Sequence, residues 1–144
     1  MRIFAIESSC DETAAAILEA EEATDGHKLR LLSNVVATQI PIHALYGGVV
    51  PEIASRAHAE SISGVVRQAF VDAGLTPADV DAVAVTYAPG LIGSLLVGVS
   101  FAKAFAYANG MPLSPVNHIE GHVAAAYLAN PELKPPFLAL VVSG

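Results

Sequence analysis

Short apolar runs alternate with polar turns along this chain, and the period of each run predicts its element. Arg2 to Glu7 reads as a buried strand. Thr13 to Glu19 reads as a second, after the polar turn Ser8-Ser9-Cys10-Asp11-Glu12. Asp25-Gly26 marks a hairpin turn, and Leu29 to Thr38 gives the third strand. A loop with Pro41 and Gly47-Gly48 follows. Pro51 then opens a long helix, with Ile53, Ala57, Ile62, Val65, Ala69 and Phe70 at helical spacing, ending near Gly74. Ala82 to Tyr87 is a strand, and Leu91 to Asn109 a helix stopped by Gly110 and Pro112. Leu113 to Val116 is a short strand, and His118 to Ala129 a last helix. The proline-rich spacer Pro131 to Pro136 leads to an apolar strand, Phe137 to Ser143.

That order, βββαβαβα and one more strand, predicts an α/β fold. Hairpins followed by βα crossovers give a mixed sheet with helices on both faces. Ligands of open α/β sheets collect at the carboxyl ends of strands. Ser8 to Thr13, Pro89 to Ser94 and Asn117 to His122 all fall at such ends or beside them, so one site is expected to gather them. Residues 1–130 read as a first unit, 131–136 as a linker and 137–144 as the opening strand of a second, truncated unit. A lone apolar strand is an edge liability, hence the expectation that the chain is a piece of something longer.

Composition narrows the class. A length of 144 residues fits one domain. Net charge is −7, and half of the acidic residues lie between Glu7 and Asp25. Such a surface does not attract phosphate backbones, so any nucleic acid must be met by basic surface from elsewhere. The mean hydropathy of +0.53 is high and predicts covered surfaces, a partner or a second copy. Cys10 is the only cysteine, which excludes an internal disulfide and fits a reducing compartment. On its own it reads as a small buried filler. Glu7 interrupts the apolar start after Arg2, which argues against a signal peptide. Ala82 to Ala102 carries no charge, but Pro89-Gly90 splits it into two buried elements rather than a membrane span.

The candidate chemistry centres on His118-Ile119-Glu120-Gly121-His122. Residues at i and i+4 share one helix face. Two neutral imidazoles there can grip one metal ion. Spacing alone also allows two unrelated polar histidines. Glu120 lies two residues from each, about 200° around the helix, so it points away from any ion they hold. This differs from the His-Glu-x-x-His of zinc peptidases. Asn117 reads as the helix N-cap, with Glu120 reaching back in a capping box. His58 and Arg56 read as surface residues without a catalytic role, and His27 and His43 as solvated.

Several motifs together resemble one family. They are Ile6-Glu7-Ser8-Ser9-Cys10-Asp11-Glu12-Thr13, Gly47-Gly48-Val49-Val50-Pro51-Glu52 with Ser55-Arg56-Ala57-His58, and Pro89-Gly90-Leu91 with Gly98 and Lys103. The histidine motif and Leu140-Val141-Val142-Ser143-Gly144 complete the set. In this order they resemble the TsaD family of tRNA threonylcarbamoyladenosine transferases, also known as Gcp or O-sialoglycoprotein endopeptidases. The resemblance implies one half of an actin-like, ribonuclease H-like ATPase fold. It implies transfer of a threonylcarbamoyl group from threonylcarbamoyl-AMP to N6 of the adenosine beside the anticodon. It implies one iron or zinc ion on His118, His122 and an aspartate of the second half. The implied partners are a TsaB-like paralogue, a TsaE-like ATPase and tRNA, in the cytoplasm and away from membranes.

By the same resemblance Ser9, Cys10, Asp11, Glu12 and Thr13 contact the nucleotide or substrate, as do Ser143 and Gly144. The hydroxyls and backbone N–H groups of the first turn suit phosphate or carboxylate. Asp11 and Glu12 would repel bare phosphate, so they act through a cation or bond the threonyl amine; an ordinary acidic turn is the alternative. Pro89-Gly90 either aims N–H groups at an anion or is a plain strand-to-helix turn. No residue is assigned to catalysis itself. Two other functions compete, a non-catalytic TsaB-like module and a metallopeptidase. The histidine pair speaks against the first, and the position of Glu120 against the second. As a fragment, the chain is expected to be inactive alone.

Overall fold

The computed structural model describes residues 1–23 and 26–142. Five strands form one sheet: β1 (Arg2–Glu7), β2 (Glu12–Ala23), β3 (Gly26–Thr38), β4 (Ala82–Ala88) and β5 (Leu113–Asn117). Their order across the sheet is β3-β2-β1-β4-β5. The first three pair antiparallel, while β1 with β4 and β4 with β5 run parallel. The carboxyl ends of β1, β4 and β5 therefore share one edge.

The helices are α1 (Ile40–His43), α2 (Pro51–Ala73), α3 (Ile92–Asn109) and α4 (His118–Ala129). Pro51 sits in the first turn of α2, where its missing N–H costs nothing. Gly74 and Gly110 end α2 and α3 at φ 65°. Each is followed by the paired backbone bonds of a Schellman cap: Leu75 N–H to Phe70 O, and Met111 N–H to Ala106 O.

Strand alternation divides the sheet into two unlike faces. Phe4, Ile6, Ile17, Val83 and Val85 turn one way and meet Ile62, Val65, Ala69 and Phe70 of α2, with Ala102 and Ala106 of α3. Phe4 stands 5.1 Å from Phe70 and 5.0 Å from Phe105, centroid to centroid. Burying each large side chain contributes about 1.5–3 kcal/mol, so this face carries the stability. The other face is floored by small residues, Ala5, Ala14, Ala16 and Ala84, and α4 lies across it. Helices thus cover both faces, as the element order predicts.

Several boundaries move. The β2–β3 ribbon runs past Glu19 despite its charges, because opposite charges face each other across it: Glu19 opposite Arg30, Glu21 opposite Lys28. Arg2 Nε also donates to Glu19 at 2.9 Å. Residues 40–46, expected as loop, make α1 and a short 3-10 turn, and Gly47 at φ 73° closes them. Phe137 to Val142 is not a strand. A strand needs a backbone partner, and among the described residues this segment has none. Leu138, Leu140 and Val142 are instead exposed. Among the described residues one helix, α3, is long and apolar enough to cross a membrane. Here it packs on α2 and β4 and buries Leu95, Ala102 and Ala106.

Candidate functional site

The three segments at the strand ends meet. Asn117 closes β5 and caps α4, its side-chain oxygen accepting from Ile119 N–H at 2.9 Å and Glu120 N–H at 3.3 Å. This is the expected cap, although Glu120 makes no return bond and stays exposed. The cap fixes where α4 begins, and hence where its first residue, His118, points. His122 follows one turn later, the two rings edge to face with centroids 4.5 Å apart. Their Nε2 atoms are 3.0 Å apart.

That separation suits two donors to one ion. Bonds of ~2.0–2.1 Å to zinc place two nitrogens about 2.9 Å apart at a right angle and about 3.4 Å apart at the tetrahedral angle. The donor set is incomplete, since among the described residues no group of three His, Cys, Asp or Glu side chains converges. His118 Nδ1 lies 3.1 Å from Glu7 Oε2 and 3.2 Å from Ser9 Oγ. Glu7 also accepts from the Ser9 amide. Burial pushes the Glu7 carboxyl up, but hydrogen bonds from the Ser9 hydroxyl, Thr86, the Ser9 amide and His118 outweigh it and hold it below its ordinary value. Glu7 is therefore a carboxylate at neutral pH.

Two adjoining clefts share His118. One, about 370 Å³, lies between α4 and the alanine floor and is rimmed by Glu7, Asn34, Thr86, His118 and His122. The other, about 250 Å³, is walled by Ser9, Cys10, Pro89, Gly90, Leu91 and His118. The Pro89-Gly90 turn is clamped to the first loop, with Leu91 N–H donating to Ser9 O at 2.8 Å. That amide is thus spent inside the protein rather than offered to an anion.

The first loop is anchored on both sides. Ser8 Oγ donates to Ser94 O at 2.8 Å and accepts from Gly98 N–H at 3.2 Å. Gly98 is required there, because a Cβ would lie 2.4 Å from that oxygen. On the other side, Thr13 Oγ1 lies 2.7 Å from His58 Nδ1 and 2.8 Å from Ser61 Oγ. Thr13 is fully buried. Its hydroxyl holds the turn and does not face either cleft. Ser9 and Cys10 do line a cleft. Asp11 and Glu12 stay partly exposed, Asp11 O accepting from Gln39 N–H at 2.9 Å and Glu12 from Thr38 Oγ1 at 3.3 Å. Ser143 and Gly144 lie outside the described residues.

Three sequence expectations change. Cys10 is exposed rather than buried. Partial burial of its thiol and the carboxylates of Asp11, Glu12 and Glu7 push its pKa up to about 11. His58 is no surface residue: it is fully buried, its Nε2–H donating to Cys10 O at 3.0 Å. His43 is buried too, accepting from Val50 N–H at 3.3 Å and facing Gln39 Oε1 at 3.0 Å. Both are polar struts under the loops. Glu7 is the residue the sequence reading passed over. Its signal was a carboxylate ending an apolar strand with no nearby lysine or arginine. Arg56 is exposed as expected and pairs with Glu52, while the side chain of His27 lies outside what is described.

Comparison with known proteins gives this geometry its context. The profile of the family described as TsaD: tRNA N6-adenosine threonylcarbamoyltransferase matches residues 30–144. A protein of that name from Caldicellulosiruptor bescii is 58% identical over the whole chain, which covers 41% of the relative's length. Another from Clostridium novyi is 56% identical, with 40% of its length covered. The chain thus spans well under half of these relatives. Among solved structures, YeaZ from Pseudomonas aeruginosa matches with a TM-score of 0.61 at 17% identity, over 90% of this chain and 49% of that one. The Thermus thermophilus RuvC in complex with Holliday junction substrate matches with a TM-score of 0.51 at 15% identity, over 89% of this chain and 73% of that one. At such identities the likeness is one of fold, the mixed α/β sheet expected from the element order, and it fits the actin-like, ribonuclease H-like half that the family resemblance implies. The chain belongs to the TsaD family, the tRNA N6-adenosine threonylcarbamoyltransferases.

Proposed function

We propose that the complete protein transfers a threonylcarbamoyl group from threonylcarbamoyl-AMP to N6 of the adenosine next to the anticodon of tRNA. This chain supplies half of the site and is inactive alone. One observation carries the reading. The two Nε2 atoms stand 3.0 Å apart above the Ser9 loop, in a chain 58% identical to a protein named for that reaction. In the transfer, the N6 amine attacks the carbamoyl carbon. A C–N bond forms and the C–O bond to AMP breaks. AMP leaves with the electron pair, and the amine gives up a proton.

His118 and His122 would hold one divalent ion, iron or zinc, with a third ligand from beyond this stretch. When bound, such an ion supplies Lewis-acid polarisation of the carbonyl or orientation of the donor. Ser9 and Cys10 line the cleft beside His118, where a hydroxyl suits the donor's polar groups. Asp11 and Glu12 would bond the threonyl amine, as the family resemblance implies. The net charge of −7 favours basic surface from a partner for tRNA, and a TsaB-like paralogue with a TsaE-like ATPase fits that need in a cytoplasmic assembly. A second copy is the other candidate for covering the apolar surface.

The non-catalytic module is weaker, because the histidine pair has no use there. Glu120, exposed and unbonded to either histidine, gives a peptidase no base. The test uses the complete protein. His118→Ala and His122→Ala should each abolish metal retention and sharply reduce transfer to tRNA. Full metal content and full activity in both would refute the ligand assignment.

A further inference from the structure

We propose that Glu7 is the positioning residue of this site: its carboxylate holds His118 in the Nδ1–H tautomer and aims the Nε2 lone pair into the space shared with His122. The inference rests on the ligand reading above and adds a residue to it. The geometry comes first. Glu7 is the last residue of β1, and His118 is the first of α4, 111 positions later. Parallel pairing of β1 with β4 and of β4 with β5 brings both to one edge. There Glu7 Oε2 lies 3.1 Å from His118 Nδ1.

A carboxylate only accepts, so the hydrogen between them belongs to Nδ1. In the neutral ring the other nitrogen then carries the lone pair, as an imidazole ligand requires. Glu7 is itself held still by the Ser9 amide. Both side chains are about one-third exposed or less, at 31% for Glu7 and 28% for His118, so water competes weakly for the bond.

One oxygen of this carboxylate accepts from the Ser9 amide, and the other faces His118. Among the described residues its ion-pair neighbour is His118, and the lysines and arginines pair elsewhere or not at all. It stands on the alanine-floored face, where a neutral residue would avoid the cost of desolvating a charge. A carboxylate behind a ligating histidine fixes ring orientation and raises basicity, and losing it typically weakens metal affinity ~10–100-fold.

The experiment uses the complete protein with zinc alone as probe, titrated against a chromophoric chelator. Ring 15N shifts of His118 are recorded on the metal-free protein. Wild type should show the Nδ1–H form. Glu7→Ala should mix the tautomers and weaken zinc binding ~10–100-fold. Glu7→Gln keeps an oxygen that accepts from Nδ1–H, so it should preserve the tautomer and lose less affinity. If Glu7→Ala does not fold, Glu7→Gln and the wild-type tautomer decide. A proton on Nε2 in the wild type, or wild-type zinc affinity in both variants, overturns the proposal. Unchanged affinity in His118→Ala would instead overturn the ligand reading beneath it.

Discussion

Replacing Gly98 with alanine puts a Cβ 2.4 Å from Ser8 Oγ. The serine has little freedom to yield, being fully buried. Turning it aside gives up its bonds to Ser94 O and from Gly98 N–H. Two buried bonds at about 0.5–1.5 kcal/mol each give a loss of about 1–3 kcal/mol. Alanine's better helix propensity returns about 1 kcal/mol. A net destabilisation of about 0–2 kcal/mol follows, or up to about 8 °C in melting temperature for a domain of ordinary size. Ser8→Ala removes the offending oxygen, leaving its Cβ 3.3 Å from the new methyl. The double variant should therefore be no less stable than Ser8→Ala alone, with a coupling of about 1–2 kcal/mol. Melting of the four complete proteins gives the cycle. Simple additivity across the cycle would refute the clash argument.

Further outcomes follow from the same loops. Cys10, with its pKa pushed up to about 11, should react with iodoacetamide at about pH 8 at least ~10-fold more slowly than free cysteine, whose pKa is about 8.5; peptide mapping that finds equal rates would count against it. Burial lowers the pKa of His58 from its ordinary 6.5, against the opposing pull of Cys10 O, Glu7 and Asp11. The unfolded chain then takes the proton first, so this contribution is complete above pH 6.5 and is lost as pH falls toward the lowered folded value. Melting temperature between about pH 7.5 and about pH 5 should fall more steeply in wild type than in His58→Gln, and parallel slopes would contradict this. Asn117→Ala should cost about 0.5–2 kcal/mol through loss of the α4 cap. Glu120→Ala should cost little, and a larger loss there than at Asn117 would restore the capping box.

Much of the scaffold was legible because its signals are local. The apolar run Arg2–Glu7 and the capped helix His118–Ala129 have the bounds that periodicity and capping predict. Strand-end grouping anticipated that Ser9, Pro89-Gly90 and His118 would meet, since it needs only element order. What escaped the sequence depends on distant partners. His58 is buried because Thr13 and the Cys10 carbonyl, 45 and 48 positions away, satisfy it. His43 is buried by Gln39 and Val50 closing around a short helical turn that Pro41 disguised as loop. Thr13 belongs to a motif whose neighbours face the clefts, yet strand alternation turns it inward. Phe137 to Val142 has a strand's composition but no strand beside it, and composition alone makes no hydrogen-bonded ladder.

The two-faced character of β1 makes this strand a phase lock. Phe4 and Ile6 point to the aromatic core, while Ala5 and Glu7 point to the clefts. One residue inserted between Phe4 and Ala5 would turn Ala5, Ile6 and Glu7 to the opposite faces. It would drive a carboxylate among phenylalanines and present an isoleucine to His118. Stability and chemistry are thus written on alternate letters of the same word, and a residue inserted ahead of Ala5 alters both at once.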